Sequence, residues 1–382
     1  MKKIFFVLLL MANAHAWGQT QTIKGRIVDA AKQNGIAYTN LGIEGTYFGT
    51  ASDADGFFEL KIPNEYANGK LLISAVGYRN VVRSIKEISG KEFVRIPLSE
   101  ETYTIEGIDV AAQSRVLFRI IRTAGQKVPE NYLPGPLGVK LYYHEQKKMN
   151  DSILTDREAV VDLYDETGYS APSEENAYHS RNYRFVQAKR SVDPVSFPNG
   201  QTGFDELLNM DLARLSNTLF NAELLNDYDL HLEGSTVYAG DSVWVISYKI
   251  SEPDLPHSGD YYATKMNGKM YVLKKNYALI RNECIIEAAK NCSQGRSLYT
   301  ESRDEENVRY HFVCLYKNWN GKYGAGYIGC DKTYTDPQGQ QVSYSRKTSV
   351  LDLQKSPVKL AGRDYFEDTP YAESFWAGFK RP

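Results

Sequence analysis

GTASDADGFFELKIP, residues 49–63, sets Asp53-Ala54-Asp55-Gly56 between two strand-like runs, and its reading decides the fold of the N-terminal part of the chain. The Asp-x-Asp-Gly spacing opens two possibilities, a calcium loop or a tight turn. A loop of the EF-hand kind needs further oxygen ligands and a Glu at its twelfth position; counted from Asp53, that position is Asn64. A turn needs only Asp, which tolerates turn geometry, and a glycine that supplies positive φ. Phe58, Leu60 and Ile62 then alternate with Phe57, Glu59 and Lys61 as a half-buried strand. The stretch reads as strand, turn, strand.

The same alternation continues on both sides. TIKGRIVDA, AYTNLGIEG, KLLISAVGY, NVVRSI and EFVRIPL carry apolar residues at alternate positions between Thr22 and Val110, divided by glycine and polar turns. Short strands at this close spacing describe a small β-sandwich. Gly25-Arg26-Ile27-Val28-Asp29, Asn40 to Thr46, Gly49 to Phe58 and Leu72 to Tyr78 together resemble the carboxypeptidase-regulatory-like domain, a transthyretin-like sandwich frequent in exported proteins of Bacteroidetes. Where that family usually has a proline this chain has Gly35-Ile36-Ala37, and where it has Thr-Asp this chain has Ser52-Asp53. The resemblance implies a folding or docking module and no peptide cleavage.

The chain has 382 residues, enough for about two domains at the usual ~100 to 200 residues each. With a net charge of -2 nothing suggests a nucleic-acid partner, and 28 tyrosines favour half-buried strand surfaces. MKKIFFVLLLMANAHAWGQTQ combines two lysines, an apolar run from Ile4 to Met11 and a small-x-small site at Ala14-His15-Ala16, the pattern of a secretory signal peptide over residues 1–16. The run is far short of the ~20 residues that cross a bilayer. No cysteine stands near the site to carry a lipid. The expected location is exported, in the periplasm or associated with the outer membrane.

The expected organisation is a sandwich over 20–112 and a second, β-rich α+β domain over 113–382, with a curved half-barrel as one form of it. SRVLFRIIRTAGQKV, residues 114–128, puts Val116, Leu117, Ile120, Ile121 and Ala124 on one helical stripe that Pro129 ends, and FDELLNMDLARLSNTLFNAELL predicts a helix over 204–225. Asn150-Asp151, Ala239-Gly240-Asp241 and Asn267-Gly268 predict hairpin turns. SVWVISYKI sends Trp244, Ile246, Tyr248 and Ile250 to one face; DREAVVDLYD fits either a strand or a helical stripe. Pro129-Glu130-Asn131-Tyr132 and Glu373-Ser374-Phe375-Trp376 are similar to segments of Bacteroidetes envelope proteins that carry the same small module. The strand run with an intervening helix resembles, at the level of fold, the half-barrels of periplasmic lipoprotein and lipid carriers. A transporter barrel of ~22 strands does not fit the remaining length, and in YYHEQKK both strand faces read as polar.

Chemistry-bearing motifs are sparse. None of the histidines begins an HxxE or HExxH pair, and no GxSxG or phosphate-cradling glycine loop occurs. His231-Leu232-Glu233 places an imidazole and a carboxylate on one strand face, which reads as a surface pair ahead of an acid/base couple. Residues 301–306, ESRDEE, read as a solvated loop ahead of a cation site. Cys284, Cys292, Cys314 and Cys330 allow two disulfides or buried thiols, with Cys284 opposite Cys314 if their segments form a hairpin symmetric about Tyr299. A zinc site is disfavoured because His311 and Cys314 would point to opposite faces. No catalytic, cofactor-binding or metal-ligating residue is assigned, and no cofactor is expected. The expectation is a non-catalytic exported binding or scaffold protein whose partner is an envelope protein or an amphiphilic ligand. The alternatives are a periplasmic carrier of a lipid-like or lipoprotein-like amphiphile and a hydrolase with a dispersed site, the latter favoured if His231, His257 and carboxylates share a cleft.

Overall fold

A computed structural model describes residues 20–46, 49–101, 110–171, 181–192, 203–214, 219–238, 240–292, 302–303, 306–354, 357–362, 369–379 and 381–382. The stretch 1–16, expected from the sequence to be a signal peptide, lies outside them. The chain divides into two units, Met1–Glu101 and Thr102–Pro382.

The first unit is two small sheets face to face. β1 (Thr20–Asp29) lies between β4 (Phe57–Pro63), antiparallel, and β7 (Val94–Leu98), parallel. The second sheet runs β3 (Gly49–Ala51), β2 (Asn40–Ile43), β5 (Lys70–Ser74) and β6 (Val81–Ser84), followed by the short helix α1 (Ile85–Ile88). Inward residues at period two, Ile23, Ile27, Leu60 and Ile62 from one sheet and Leu41, Ile43, Leu71 and Ile73 from the other, form one aliphatic core. The opening stretch is a turn, as read. Asp53 Oδ1 accepts from Asp55 N (2.9 Å) and Phe57 N (2.8 Å), and Gly56 sits at φ +85°. The strands it joins belong to different sheets, so it is a crossover and not a hairpin.

The second unit is built on one open antiparallel sheet of ten strands. Helix α2 (Val110–Gln126) and the single turn α3 (Val128–Asn131) precede β8 (Leu137–Met149), β9 (Ser152–Asp165) and β10 (Asn182–Val192). After α4 (Phe204–Leu208) come β11 (Asp229–Tyr238), β12 (Asp241–Ile250), α5 (Leu255–Ser258), β13 (Ala263–Leu273) and β14 (Leu279–Ala288). The two-residue strands β15 (Asn291–Cys292) and β16 (Ser302–Arg303) pair with each other; β17 (Glu306–Trp319), β18 (Lys322–Thr335) and β19 (Gln341–Gln354) complete the sheet, and α6 (Glu373–Gly378) follows. β19 returns beside β8, so two meanders merge and β10 and β11 are left as the ends. The sheet does not close into a barrel.

Several expectations change here. Asn150 (φ 44°) and Asp151 (φ 70°) do make the tight β8–β9 turn, and DREAVVDLYD is strand. Asn267-Gly268 does not turn: β13 runs straight through it, and Gly268 is needed because a Cβ there would lie 2.2 Å from Glu283 O on β14 and 2.4 Å from the Tyr248 hydroxyl on β12. The helix expected over 204–225 is one turn, Phe204–Leu208, followed by irregular turns, with residues 215–218 outside the described set. Beyond that turn Met210, Leu212, Ala213 and Leu219 are buried without a helix to order them. On α2, Leu117, Ile120, Ile121 and Ala124 are buried, but Val116 stands exposed. Cys284 lies opposite Phe312, and Cys314 opposite Asn282, two residues off the symmetric register; Cys284, Cys314 and Cys330 are buried thiols outside any disulfide.

Candidate functional site

Alternation along β8 and β9 sends Val139, Leu141, Tyr143 and Glu145, and Arg157, Ala159, Val161, Leu163 and Asp165, to one face of the sheet, here called the inner face. Across β19 and β18 it continues through Arg346 and Thr348 to Cys330 and Ile328. Residues 203–214 lie on this face as a strap. Phe204 meets the rings of Tyr143 (5.3 Å) and Tyr183 (4.9 Å) edge-on, and Leu207, Leu208, Leu212 and Ala213 are buried beside it.

Three ionic latches fasten the strap. Arg346 Nη1 donates to Glu206 Oε2, and Gly203 stands where a Cβ would collide with the Arg346 side chain at 2.3 Å. Arg214 donates to both oxygens of Asp165, from Nε (2.6 Å) and Nη2 (3.0 Å), and Arg181 Nε adds a third bond at 3.3 Å. Burial alone would push the Asp165 carboxyl up, but these guanidinium groups hold it below the usual carboxylate range. Asp211 accepts from Tyr169 OH (2.6 Å), Tyr316 OH (3.0 Å) and Arg181 Nη2 (3.3 Å). Next to the first latch, Glu145 accepts from Tyr143 OH and Tyr344 OH and faces Arg157 at 3.5 Å. The strand read as polar on both faces therefore turns a fully buried, partnered Glu145 inward.

The strap does not fill the face. Between it and β8, β9, β18 and β19 remains a cleft of about 50 Å³, walled by Val139, Leu141, Leu163, Leu208, Ile328 and Val350, with Ala325, Leu353 and Trp319 also lining it. Its lining is mainly apolar, and Asp165, Arg181 and Asp211 form its one charged wall. At ~10–15 Å³ per water-sized probe sphere it holds a few waters, well below the ~300–1,000 Å³ of sites that enclose a drug-sized ligand.

The residues singled out in the sequence lie elsewhere. His231 is exposed on β11 opposite Ser247, with Glu233 facing Lys269 at 3.9 Å. His257 is buried on α5, its two ring nitrogens on Asp254 and on Asp227 (3.1 Å), its ring against Tyr228. The two imidazoles share no partner among the described residues. His311 turns to Glu283 (2.7 Å) on the face opposite Cys314. Glu301, Asp304 and Glu305 lie outside the described residues. Ile246, Tyr248 and Ile250 are buried together, and Trp244, half-buried, packs on Tyr277. The latches were missed by the sequence reading. Their signal is a charged residue at an inward position of an otherwise apolar alternation, as at Glu145 and Arg157.

The family model described as CarboxypepD_reg-like domain matches residues 23–110. No curated protein matches the chain. Among solved structures, a LolA superfamily protein from Nitrosomonas europaea is similar at 11% identity over 63% of this chain and 97% of its own (TM-score 0.21). The Mycobacterium tuberculosis lipoprotein LppX is similar at 10% over 64% and 98% (TM-score 0.23), and lipovitellin at 7% over 61% and 27% (TM-score 0.27).

Proposed function

We propose that this chain is an exported, non-catalytic binding protein of the cell envelope, whose β-rich unit takes the apolar end of an amphiphile into the inner-face cleft. The supporting observation is the cleft itself: an apolar lining left open between sheet and strap, beside a charged wall whose groups are already partnered. A site of this size admits the tip of a hydrocarbon chain and leaves the polar head in solvent. The CarboxypepD_reg-like unit serves as a docking module.

Native mass spectrometry of protein purified from its host, with displacement of a fluorescent fatty-acid probe, tests the reading. A co-purifying amphiphile and a probe affinity that falls about tenfold in Ala325→Leu, where the added side chain fills the cleft, support it. A clean apo mass with no probe binding leaves a scaffold role. Export itself predicts a mature N-terminus just after Ala16 without acylation, read by N-terminal mass spectrometry; an intact or lipid-modified start contradicts it.

A further inference from the structure

Helix α2 carries a surface that the cleft does not use. Leu117, Ile120, Ile121 and Ala124 bury one side of it, and at about 100° per residue Arg115, Arg119 and Arg122 fall together on the opposite side, all three exposed. Val110–Gln126 includes no Asp or Glu, so the ridge lacks the i,i+3 and i,i+4 carboxylates that answer such charges on a solvated helix. Among the described residues none of the three guanidinium groups has a hydrogen-bond or ion-pair partner. The carboxylates of β11, the strand α2 packs on, turn elsewhere: Asp229 to Lys249 at 2.9 Å and Glu233 to Lys269 at 3.9 Å. The arginines therefore repel one another along the helix with nothing to offset it. In a chain of net charge -2 this concentration is local.

The ridge leads to a basic, aromatic end of the sheet. α3 ties α2 to it, since Asn131 Nδ2 donates to Asn276 O between β13 and β14 (2.8 Å) and Lys322 Nζ donates to Glu130 O. Antiparallel register gathers the start of β12, the β13–β14 turn and the β17–β18 turn at this end. Two tryptophans stand there, each with a lysine over its ring: Lys274 Nζ lies 5.7 Å from the Trp244 ring and Lys317 Nζ 4.8 Å from the Trp319 ring. Trp319 also lines the cleft. Glu130 and Asp241, at the same end, are each taken by a lysine, Lys127 (2.8 Å) and Lys275 (2.7 Å).

A row of guanidinium forks beside indole rings that carry lysines matches a layer of phosphates above an apolar interior. We infer that the arginine ridge of α2, with the Trp244 and Trp319 end of the sheet, docks the protein on a bilayer surface rich in anionic phospholipid. For its purpose the inference rests on the cleft taking an amphiphile, as proposed above: a bilayer is where such a molecule is met, and docking sets Trp319, a wall of the cleft, against it. A second copy of the chain is the poorer occupant, because a two-fold contact sets arginine ridge against arginine ridge.

Co-sedimentation with vesicles tests it, on protein prepared from one host so that every variant shares the same N-terminus. Wild type is expected to bind vesicles of phosphatidylglycerol and phosphatidylethanolamine, to leave vesicles of phosphatidylcholine alone, and to be released at about 0.5 M salt, where charges are screened beyond ~4 Å. Arg115→Gln, Arg119→Gln and Arg122→Gln together are expected to weaken that binding at least about tenfold, since each cation near an anionic surface contributes roughly fivefold. Circular dichroism and affinity for the fatty-acid probe should stay unchanged. Undiminished binding of the triple variant overturns the inference, as does equal binding of wild type to both kinds of vesicle. Poly-glutamate that competes as strongly as anionic vesicles at equal charge overturns it in favour of an acidic protein partner. Should the triple variant fail to fold, Arg119→Gln alone decides, by a fall of about fivefold or by none. The cleft is tested apart, because Ala325→Leu is expected to lose the probe and keep the vesicles. Wild type that binds the probe but no vesicle overturns the docking alone; wild type that binds anionic vesicles but no probe overturns the cleft reading and leaves the docking supported.

Discussion

The interior of the small unit is almost entirely aliphatic, with Ile27, Leu41, Ile62, Leu71, Ile73 and Ile85 fully buried and Thr39, Ser52, Ser74 and Asp29 the few polar groups among them. The inner face of the ten-stranded sheet instead buries Glu145, Arg157, Asp165, Glu206, Arg214 and Arg346. Aliphatic burial is non-directional and tolerates adjustment. A buried ion pair contributes little net stability over a well-packed apolar pair, yet losing one partner is severe. The comparison teaches that the strap is positioned by charge. Apolar contacts alone would let residues 203–214 settle on the sheet in several ways, whereas Glu206, Asp211 and Arg214 each have one place to go.

The most damaging single change should therefore fall on a latch. Asp165→Ala takes from the buried Arg214 its carboxylate partner and from Arg181 one of two carboxylates, and is expected to cost the β-rich unit about 3–5 kcal/mol, with the small unit's calorimetric transition unmoved. Equal movement of both transitions would break the comparison. Arg346→Met should cost more alone than together with Glu206→Leu, since the double change leaves no orphaned charge; urea midpoints of the three proteins check this. In the small unit the sensitive point is conformational. Gly56→Val meets Ile27 O at 2.4 Å from a positive φ, and about 2–4 kcal/mol is expected from backbone strain and overpacking, read as a lower Tm of that unit.

Acid should act next. In Glu158, buried, and Glu283, half-buried, burial pushes the carboxyl up, but Arg381 with Tyr142, and His311 with Arg281, hold it down at about 2. Folded values below the unfolded ones mean stability that is present above about pH 4.5 and is lost as pH falls toward 2. Roughly 1–2 kcal/mol from each is expected after screening, and a pH series of urea midpoints in which Glu158→Gln flattens the acid limb checks it. The smallest effect is the most diagnostic for the opening motif. Asp53 Oδ1 is already engaged by two backbone amides, so a chelator is expected to leave the Tm unchanged.

How far the sequence could be read follows the same division. In the small unit alternation alone identifies the strands and inward residues, because burial there is a local property of a period-two pattern. It does not tell which sheet a strand joins, and the turn at 53–56 turned out to be a crossover. In the β-rich unit the Asn150-Asp151 turn is local and was legible. Gly268 was misread because its causes, the Glu283 carbonyl and the Tyr248 hydroxyl, lie on the two neighbouring strands. The strap was misread as a helix because its spacing of apolar residues answers to the sheet beneath it. The latches pair residues as far apart as Glu206 and Arg346, which no window of sequence brings together.

The three buried thiols give the inner face a stopwatch. Burial pushes the thiol of Cys314 well up and that of Cys330 to about 12, so neither is a thiolate at neutral pH while the sheet is closed. A thiol reagent can reach Cys284, Cys314 or Cys330 only in the moments when the structure over them parts. In a Cys292→Ser background, the rate at which label accumulates under native conditions counts those moments, and loosening a latch should quicken the count without any change at the sulfur itself.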